Sequence, residues 1–119
     1  MNPFMPKRKT PEGPESKIKF SIKAKLQALD WAVIVTHGNE YQMGLPDLYC
    51  AHRTFGARWI EVKNPDSYKF TDAQMEVFPL LTSKGIGIWV LTADTDEEIK
   101  KIIAIPPNWY QYLPIMRIK

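Results

Sequence analysis

The sequence has 119 residues, 45% of them hydrophobic, one cysteine and a formal net charge of +3. That length suits a single domain with its own core, and the lone Cys50 excludes an intrachain disulfide. The longest strongly apolar run, residues 86–91, is far too short to span a bilayer, and MNPFMPKRKT at the N-terminus has no secretory apolar centre, so a reducing cytoplasm is the expected location.

Charge is unevenly spread. Residues 1–25 carry seven Lys and Arg against Glu12 and Glu15, a net of +5, and the remaining chain carries nine against eleven, a net of −2. A basic N-terminal segment fits a polyanionic partner such as nucleic acid, or a solvated lysine-rich helix face. Residues 1–14 hold four prolines among basic residues and read as a flexible tail. A first helix is expected from Glu15 or Ser16. Ile18, Ile22, Leu26 and Leu29 recur at three- and four-residue spacing and make its apolar face, with Lys17, Lys19, Lys23 and Lys25 largely off that stripe.

WAVIVT (31–36) is a β-branched run and predicts a strand, followed by the polar loop HGNEYQMG. Residues 45–51 and 58–64 predict two more strands joined around RTFG, the second broken by Pro65, Asp66 and Ser67. Thr71 is the expected N-cap of a second helix, and Gln74 completes a capping-box pattern. That helix should stop at Gly85, with Pro79 kinking or shortening it. IGIWVLT (86–92) has the apolar character of a strand covered on both faces. Asp94 or Thr95 should cap a third helix reaching about Ile103, ended by Pro106 and Pro107. The order α-β-β-β-α-β-α describes a mixed α/β domain with helices packed on a small central sheet. NWYQYLPIMRIK then remains as an aromatic extension, giving a tail (1–14), a domain (15–105) and an extension (106–119).

The hairpin poses a chemical question. Along the second hairpin strand, Trp59, Glu61 and Lys63 share one face, and a turn centred on Thr54 places Asp47 opposite Glu61. Opposed residues have Cβ atoms roughly 4.5–5.5 Å apart, so two carboxylates there repel unless a cation lies between them. A one-residue slip would separate them onto different faces. Two close carboxylates and a phosphate make a suitable oxygen shell for Mg²⁺, which polarises phosphate and acidifies water. Lys63 is then placed to hold the attacking water or the developing charge. The alternative is a cross-strand ion pair on an exposed face, a common and inexpensive arrangement.

The pattern G-x-P-D (Gly44, Pro46, Asp47), a hairpin, then E-x-K (Glu61, Val62, Lys63) resembles the PD-(D/E)xK nuclease superfamily. Gln74, in FTDAQMEVFPLL, is similar to the glutamine that follows the E-x-K strand in its VRR-NUC branch. GIGIWVLTADTDEEI resembles that branch's last core strand and helix, and Glu15 resembles the glutamate opening its first helix. The resemblance covers residues 15–105. It implies a restriction-endonuclease-like α/β core with Asp47 and Glu61 as metal ligands and the Val62 carbonyl as a third. It also implies Lys63 as the catalytic lysine, Glu15 reaching the metal through water, and Gln74 orienting Lys63 or the phosphate. The expected cofactor is Mg²⁺, with Mn²⁺ substituting. The expected activity is that of a small stand-alone phage or bacterial enzyme: a structure-selective DNA endonuclease of the Holliday-junction-resolving type, acting in the cytoplasm of a bacterium or an infected host. A non-catalytic DNA-binding module on the same fold is the alternative.

Lys17, Lys19, Lys23 and the tail residues Lys7, Arg8 and Lys9 are candidate phosphate contacts. Lys69 lies just before the second helix and is either a phosphate ligand or a solvated lysine. His37 and Asn39 lie close to the site in sequence and either touch DNA or serve as loop residues with local hydrogen bonds. Cys50, Trp89, Met75 and Phe78 are expected in the core, and Trp59 either stacks on a base or packs in the core or at an edge. A four-way junction must be cut on two strands, so a two-fold homodimer is expected. Trp109, Tyr110, Tyr112, Leu113, Ile115 and Met116 supply apolar material for its interface, unless this segment folds back on its own sheet.

Overall fold

The computed structural model describes residues 14–36, 44–66 and 69–112. The tail cations Lys7, Arg8 and Lys9, the loop residues His37 and Asn39, and Leu113, Ile115 and Met116 lie outside the described residues.

Helix α1 (Pro14–Ala28) leads into strand β1 (Ala32–Val35), followed by the hairpin of β2 (Leu48–His52) and β3 (Gly56–Val62). Helix α2 (Asp72–Ser83), strand β4 (Ile88–Leu91), the short helices α3 (Asp96–Ile99) and α4 (Lys101–Ala104), and a 3-10 turn at Trp109–Tyr112 follow. The four strands form one mixed sheet in the order β1-β2-β3-β4. β1 and β3 are antiparallel to β2, and β4 runs parallel to β3. The predicted order is present through β4, with the last helix formed in two pieces, and the architecture is a mixed α/β one with helices on both sheet faces.

The two sheet faces carry separate cores. On one, Ile22 and Leu26 of α1 pack with Leu48, Cys50, Ile60, Val62, Leu91 and the short helices' Ile99 and Ile102. On the other, Phe78 of α2 packs with Ile88, Val90 and Trp109, flanked by Trp59 and Phe70. Cys50 is therefore a core residue, its thiol pushed up to about 12 by burial, and Trp59 is a packing residue. Trp89 is buried and donates its indole N–H to the Ile105 carbonyl at 2.8 Å. Among the described residues no helix is long and apolar enough to cross a membrane.

Two local expectations are corrected and one is narrowed. Leu29 is 56% exposed and outside the apolar face assigned to it. α1 ends at Ala28, and the chain reverses through Asp30 at φ 74°. The Trp31 N–H then bonds back to the Leu26 carbonyl, and Trp31 takes the core position instead. Pro79 does not shorten α2, which runs on to Ser83. The helix closes with Gly85 at φ 86° and the Ile86 N–H on the Leu81 carbonyl, a Schellman ending. The third predicted helix forms as two single-turn pieces, with Thr95 accepting from the Glu98 N–H as its N-cap.

The first part of the aromatic extension folds back on its own sheet, with Asn108 and Trp109 buried. Asn108 lies along the outer edge of β4: its N–H donates to the Ile88 carbonyl, its Oδ1 accepts from the Val90 N–H at 2.6 Å, and its Nδ2 donates to the Val90 carbonyl. One residue thereby occupies backbone groups that would otherwise leave the sheet edge open. Trp109, 5% exposed, meets Phe78 edge-to-face at 5.5 Å and donates to Thr82 Oγ1. The packed core therefore continues past residue 105, and Trp109 is not available to a partner. Trp109→Ala should cost about 3–5 kcal/mol, measured by urea unfolding, and truncation after Ile105 should unfold the domain rather than yield folded monomers.

Candidate active site

The hairpin register sets the first part of the site. Leu48 pairs with Ile60 and Tyr49 with Trp59, so Asp47, one residue before β2, falls opposite Glu61 as the sequence predicts. The regular ladder ends at Leu48–Ile60, and the Val62 N–H donates to Asp47 Oδ2 at 2.9 Å. Val62 ends β3, between Glu61 and Lys63 in the chain.

Two features outside the charged residues fix the approach to Asp47. Gly44 has φ 87°, and a Cβ there would meet Ala73 O and Val77 Cγ2 of α2 at 2.7 Å. Only glycine fits this backbone shape and this close approach to the helix. From the end of β1, the Thr36 N–H donates to the Asp47 carbonyl at 2.9 Å, and Thr36 Oγ1 lies 2.5 Å from the Pro46 carbonyl and 3.0 Å from that of Asp47. Sequence reasoning missed Thr36; its one signal was a hydroxyl closing an otherwise apolar strand.

Helix α2 supplies the second part. Gln74 sits at its third position, where the capping box is complete: Thr71 Oγ1 accepts from the Gln74 N–H, and Gln74 Oε1 accepts from the Thr71 N–H, each at 3.0 Å. The same amide reaches the sheet. Its Nε2 donates to Glu61 Oε2 at 2.7 Å, and its Oε1 accepts from Lys63 Nζ at 3.0 Å. Lys63 Nζ also lies 3.1 Å from Glu61 Oε2. Glu61 and Lys63 are 2% and 4% exposed, so this is not a surface ion pair. The Lys63 ammonium sits 4.8 Å from the centre of the Phe70 ring.

Burial, and secondarily the Asp47 charge, raise the Glu61 carboxyl from 4.5 to about 8; Lys63 and the Gln74 hydrogen bond oppose the shift without cancelling it. Burial also raises Asp47, against the Val62 hydrogen bond and the charges of Lys19 and Lys63. Glu61 Oε1 is buried with no hydrogen-bond partner among the described residues. An orphaned carboxylate oxygen that feels a second carboxylate is energetically unfavourable without a cation or water to receive it.

The other candidates are placed less centrally. Glu15, in the first turn of α1, is exposed, but its charge acts on Asp47, as does that of half-buried Lys19. Lys17 is exposed and Lys23 half-buried on the same helix, and Lys69 is exposed next to Phe70. No three His, Cys, Asp or Glu side chains converge among the described residues. The donors that the motif nominates, the Asp47 and Glu61 carboxylates and the Val62 carbonyl, are hard oxygen ligands of the kind Mg²⁺ takes alongside water and phosphate, and the buried, unpartnered Glu61 Oε1 would be free to meet such an ion. These residues fit that ion.

A four-stranded mixed sheet with α1 on one face and α2 on the other is consistent with a restriction-endonuclease-like fold. The structure is similar to a solved VRR_NUC domain, with a TM-score of 0.63 and 20% sequence identity, covering 77% of this chain and 96% of that one. The resemblance drawn from the motifs is therefore met in three dimensions, at the level of the fold. No protein-family model and no curated protein matches the sequence.

Proposed function

We propose that this chain is a Mg²⁺-dependent, structure-selective DNA endonuclease that hydrolyses phosphodiester bonds, with branched DNA such as the four-way junction as its substrate. The observation that carries the reading is the orphaned, buried Glu61 Oε1, on a carboxyl group that feels the Asp47 charge, with a buried lysine two residues on. Asp47, Glu61 and the Val62 carbonyl would hold the metal, Mg²⁺ or Mn²⁺. When bound, it supplies Lewis-acid polarisation of the phosphate and a more acidic water.

The chain's own groups do the rest. Lys63 donates to the attacking water or to the phosphate oxygen on which charge develops. Gln74 holds that ammonium by its Oε1 and holds Glu61 by its Nε2, so one side chain fixes the distance between the two. Glu15, exposed on α1 and acting electrostatically on Asp47, would reach the metal through water. Lys17, Lys19, Lys23 and Lys69, together with His37, bind the phosphate backbone, which sets register without reading bases.

The test is cleavage of labelled four-way junction, flap, splayed arm, duplex and single strand, with Mg²⁺ or Mn²⁺. Cuts at branch points that need the metal support the reading. DNA binding with no cleavage of any substrate in either metal would leave the non-catalytic binding module. On duplex DNA, neutralising Lys17 or Lys23 should make log K fall less steeply with log salt, by about 0.9 in slope for each phosphate no longer paired. An unchanged slope would remove that residue from the interface.

The protein is further proposed to act as a cytoplasmic homodimer presenting two sites to a two-fold junction. Light scattering should then give about twice the 13.8 kDa of one chain. A monomer across micromolar concentrations, free and on DNA, would count against it.

A further inference from the structure

Phe70 has no polar atom in its side chain and no place in the proposed chemistry, yet its ring stands against the buried ammonium of the site. Lys63 Nζ lies 4.8 Å from the ring centroid, within the range of a cation–π contact. Lys63 is 4% exposed, so the ammonium is largely stripped of water, the condition under which such contacts are strongest. Its hydrogen-bonding partners, Glu61 Oε2 and Gln74 Oε1, are carboxyl and amide oxygens. The ring adds attraction on top of these two oxygens, and it offers Lys63 no acceptor to compete with substrate.

The ring is itself held. Phe70 meets Phe78 edge-to-face at 5.8 Å and Trp109 edge-to-face at 6.0 Å, and these two meet each other at 5.5 Å. Its backbone immediately precedes the Thr71 N-cap, whose N–H bonds to the same Gln74 Oε1 that accepts from Lys63. The ring position is therefore fixed on one side by α2 and on the other by the segment that closes the β4 edge.

We propose that Phe70 is a positioning residue that holds the Lys63 ammonium by a cation–π contact, and that Phe78 and Trp109 set the place of its ring. The inference rests on the proposed nuclease reading for its effect on catalysis, but the contact itself can be observed without substrate. Phe70 acts only through Lys63.

The experiment uses the full chain with 13C,15N-labelled lysine, comparing wild type with Phe70→Leu, Phe70→Tyr and 3,4,5-trifluorophenylalanine at position 70. In the wild type the Lys63 side-chain CH₂ resonances next to Nζ should be displaced upfield by the ring current. That displacement should vanish in Phe70→Leu and persist in Phe70→Tyr. With junction DNA and Mg²⁺, Phe70→Leu should lower kcat about tenfold with KM little changed, and Phe70→Tyr should restore it. The fluorinated ring keeps the packing but weakens the π face, so it should lower kcat without lowering the melting temperature in proportion. A merely structural ring would show the reverse, with loss of stability and an unaltered kcat for the folded fraction. Absence of the upfield displacement in the wild type, or equal kcat for the phenyl and trifluorophenyl proteins, overturns the proposal. If wild-type protein cuts nothing, the nuclease reading fails and takes the catalytic consequence with it. The resonance comparison then still decides whether Phe70 holds Lys63.

Discussion

Lys63→Ala should lose at least about 10²–10³-fold in kcat, the scale on which a single preorganised charge donor contributes to a transition state, while DNA and metal binding persist. The reasoning is geometric. Lys63 Nζ is fixed by Glu61 and Gln74 at 3.1 and 3.0 Å, in a pocket almost without solvent. A buried donor so held needs little reorganisation when charge develops on the phosphate. Removing it also takes a partner from Glu61, and breaking a buried pair from one side is commonly costly, about 3–5 kcal/mol where the remaining charge stays ionised. Glu61 escapes part of that cost by taking a proton, since burial already favours its neutral form. Circular dichroism at the assay temperature must therefore establish that the variant is folded. Folded Lys63→Ala protein that cuts at near-wild-type rates would remove the lysine from the chemistry.

Glu61→Gln should abolish metal-dependent cleavage and, without metal, make the protein more stable than wild type near pH 8. The folded carboxyl is raised to about 8 from 4.5, with burial the largest cause. Between those values the folded state keeps a proton that the unfolded chain has released, so unfolding becomes easier as pH rises. The contribution is fully present below about 4.5 and is lost as pH rises through about 8. Glutamine has no proton to lose and keeps the shape, so the two proteins should converge in acid and part in base. Mg²⁺ requires the charged carboxylate, so its binding should release protons and strengthen towards pH 8. Thermal unfolding of both proteins from about pH 4.5 to about pH 8.5, with and without Mg²⁺, gives the answer. A wild type whose melting temperature rises steadily across that range relative to Glu61→Gln would reverse the assigned sign.

Much of this architecture was legible in the chain because local physics and the hairpin agree. Apolar β-branched runs marked the strands, and Thr71 with Gln74 marked the helix start. An assumed turn centred on RTFG sets Asp47 opposite Glu61, and the structure has that register, since a slip by one residue would turn either Leu48 and Cys50 or Ile60 and Val62 out of the core. The three charges alone left an ion pair open; it was the resemblance of the wider motif set to the VRR-NUC branch that implied a nuclease fold.

Which surfaces find each other across the fold was not legible. Gln74 reads as a capping residue and, by the resemblance, as a group orienting Lys63 or the phosphate, but its simultaneous hold on Glu61 comes only from the packing of α2 on β3. Asn108 and Trp109 had two readings, as interface or as cover for their own sheet. Their place along β4 and against Phe78 follows from an edge strand needing backbone partners and a sheet face needing cover. Thr36 and Phe70 carry no pattern of their own: one is a strand-end hydroxyl, and the other precedes a helix. Sequence by itself determined most of the elements and the charged residues on the hairpin, since periodicity and turn chemistry act over a few residues, whereas the assumed hairpin register was decided by the structure. The tertiary structure alone decided burial and partners, since these depend on contacts between segments distant in the chain, and those contacts turn three charges on a hairpin into one largely buried, hydrogen-bonded site.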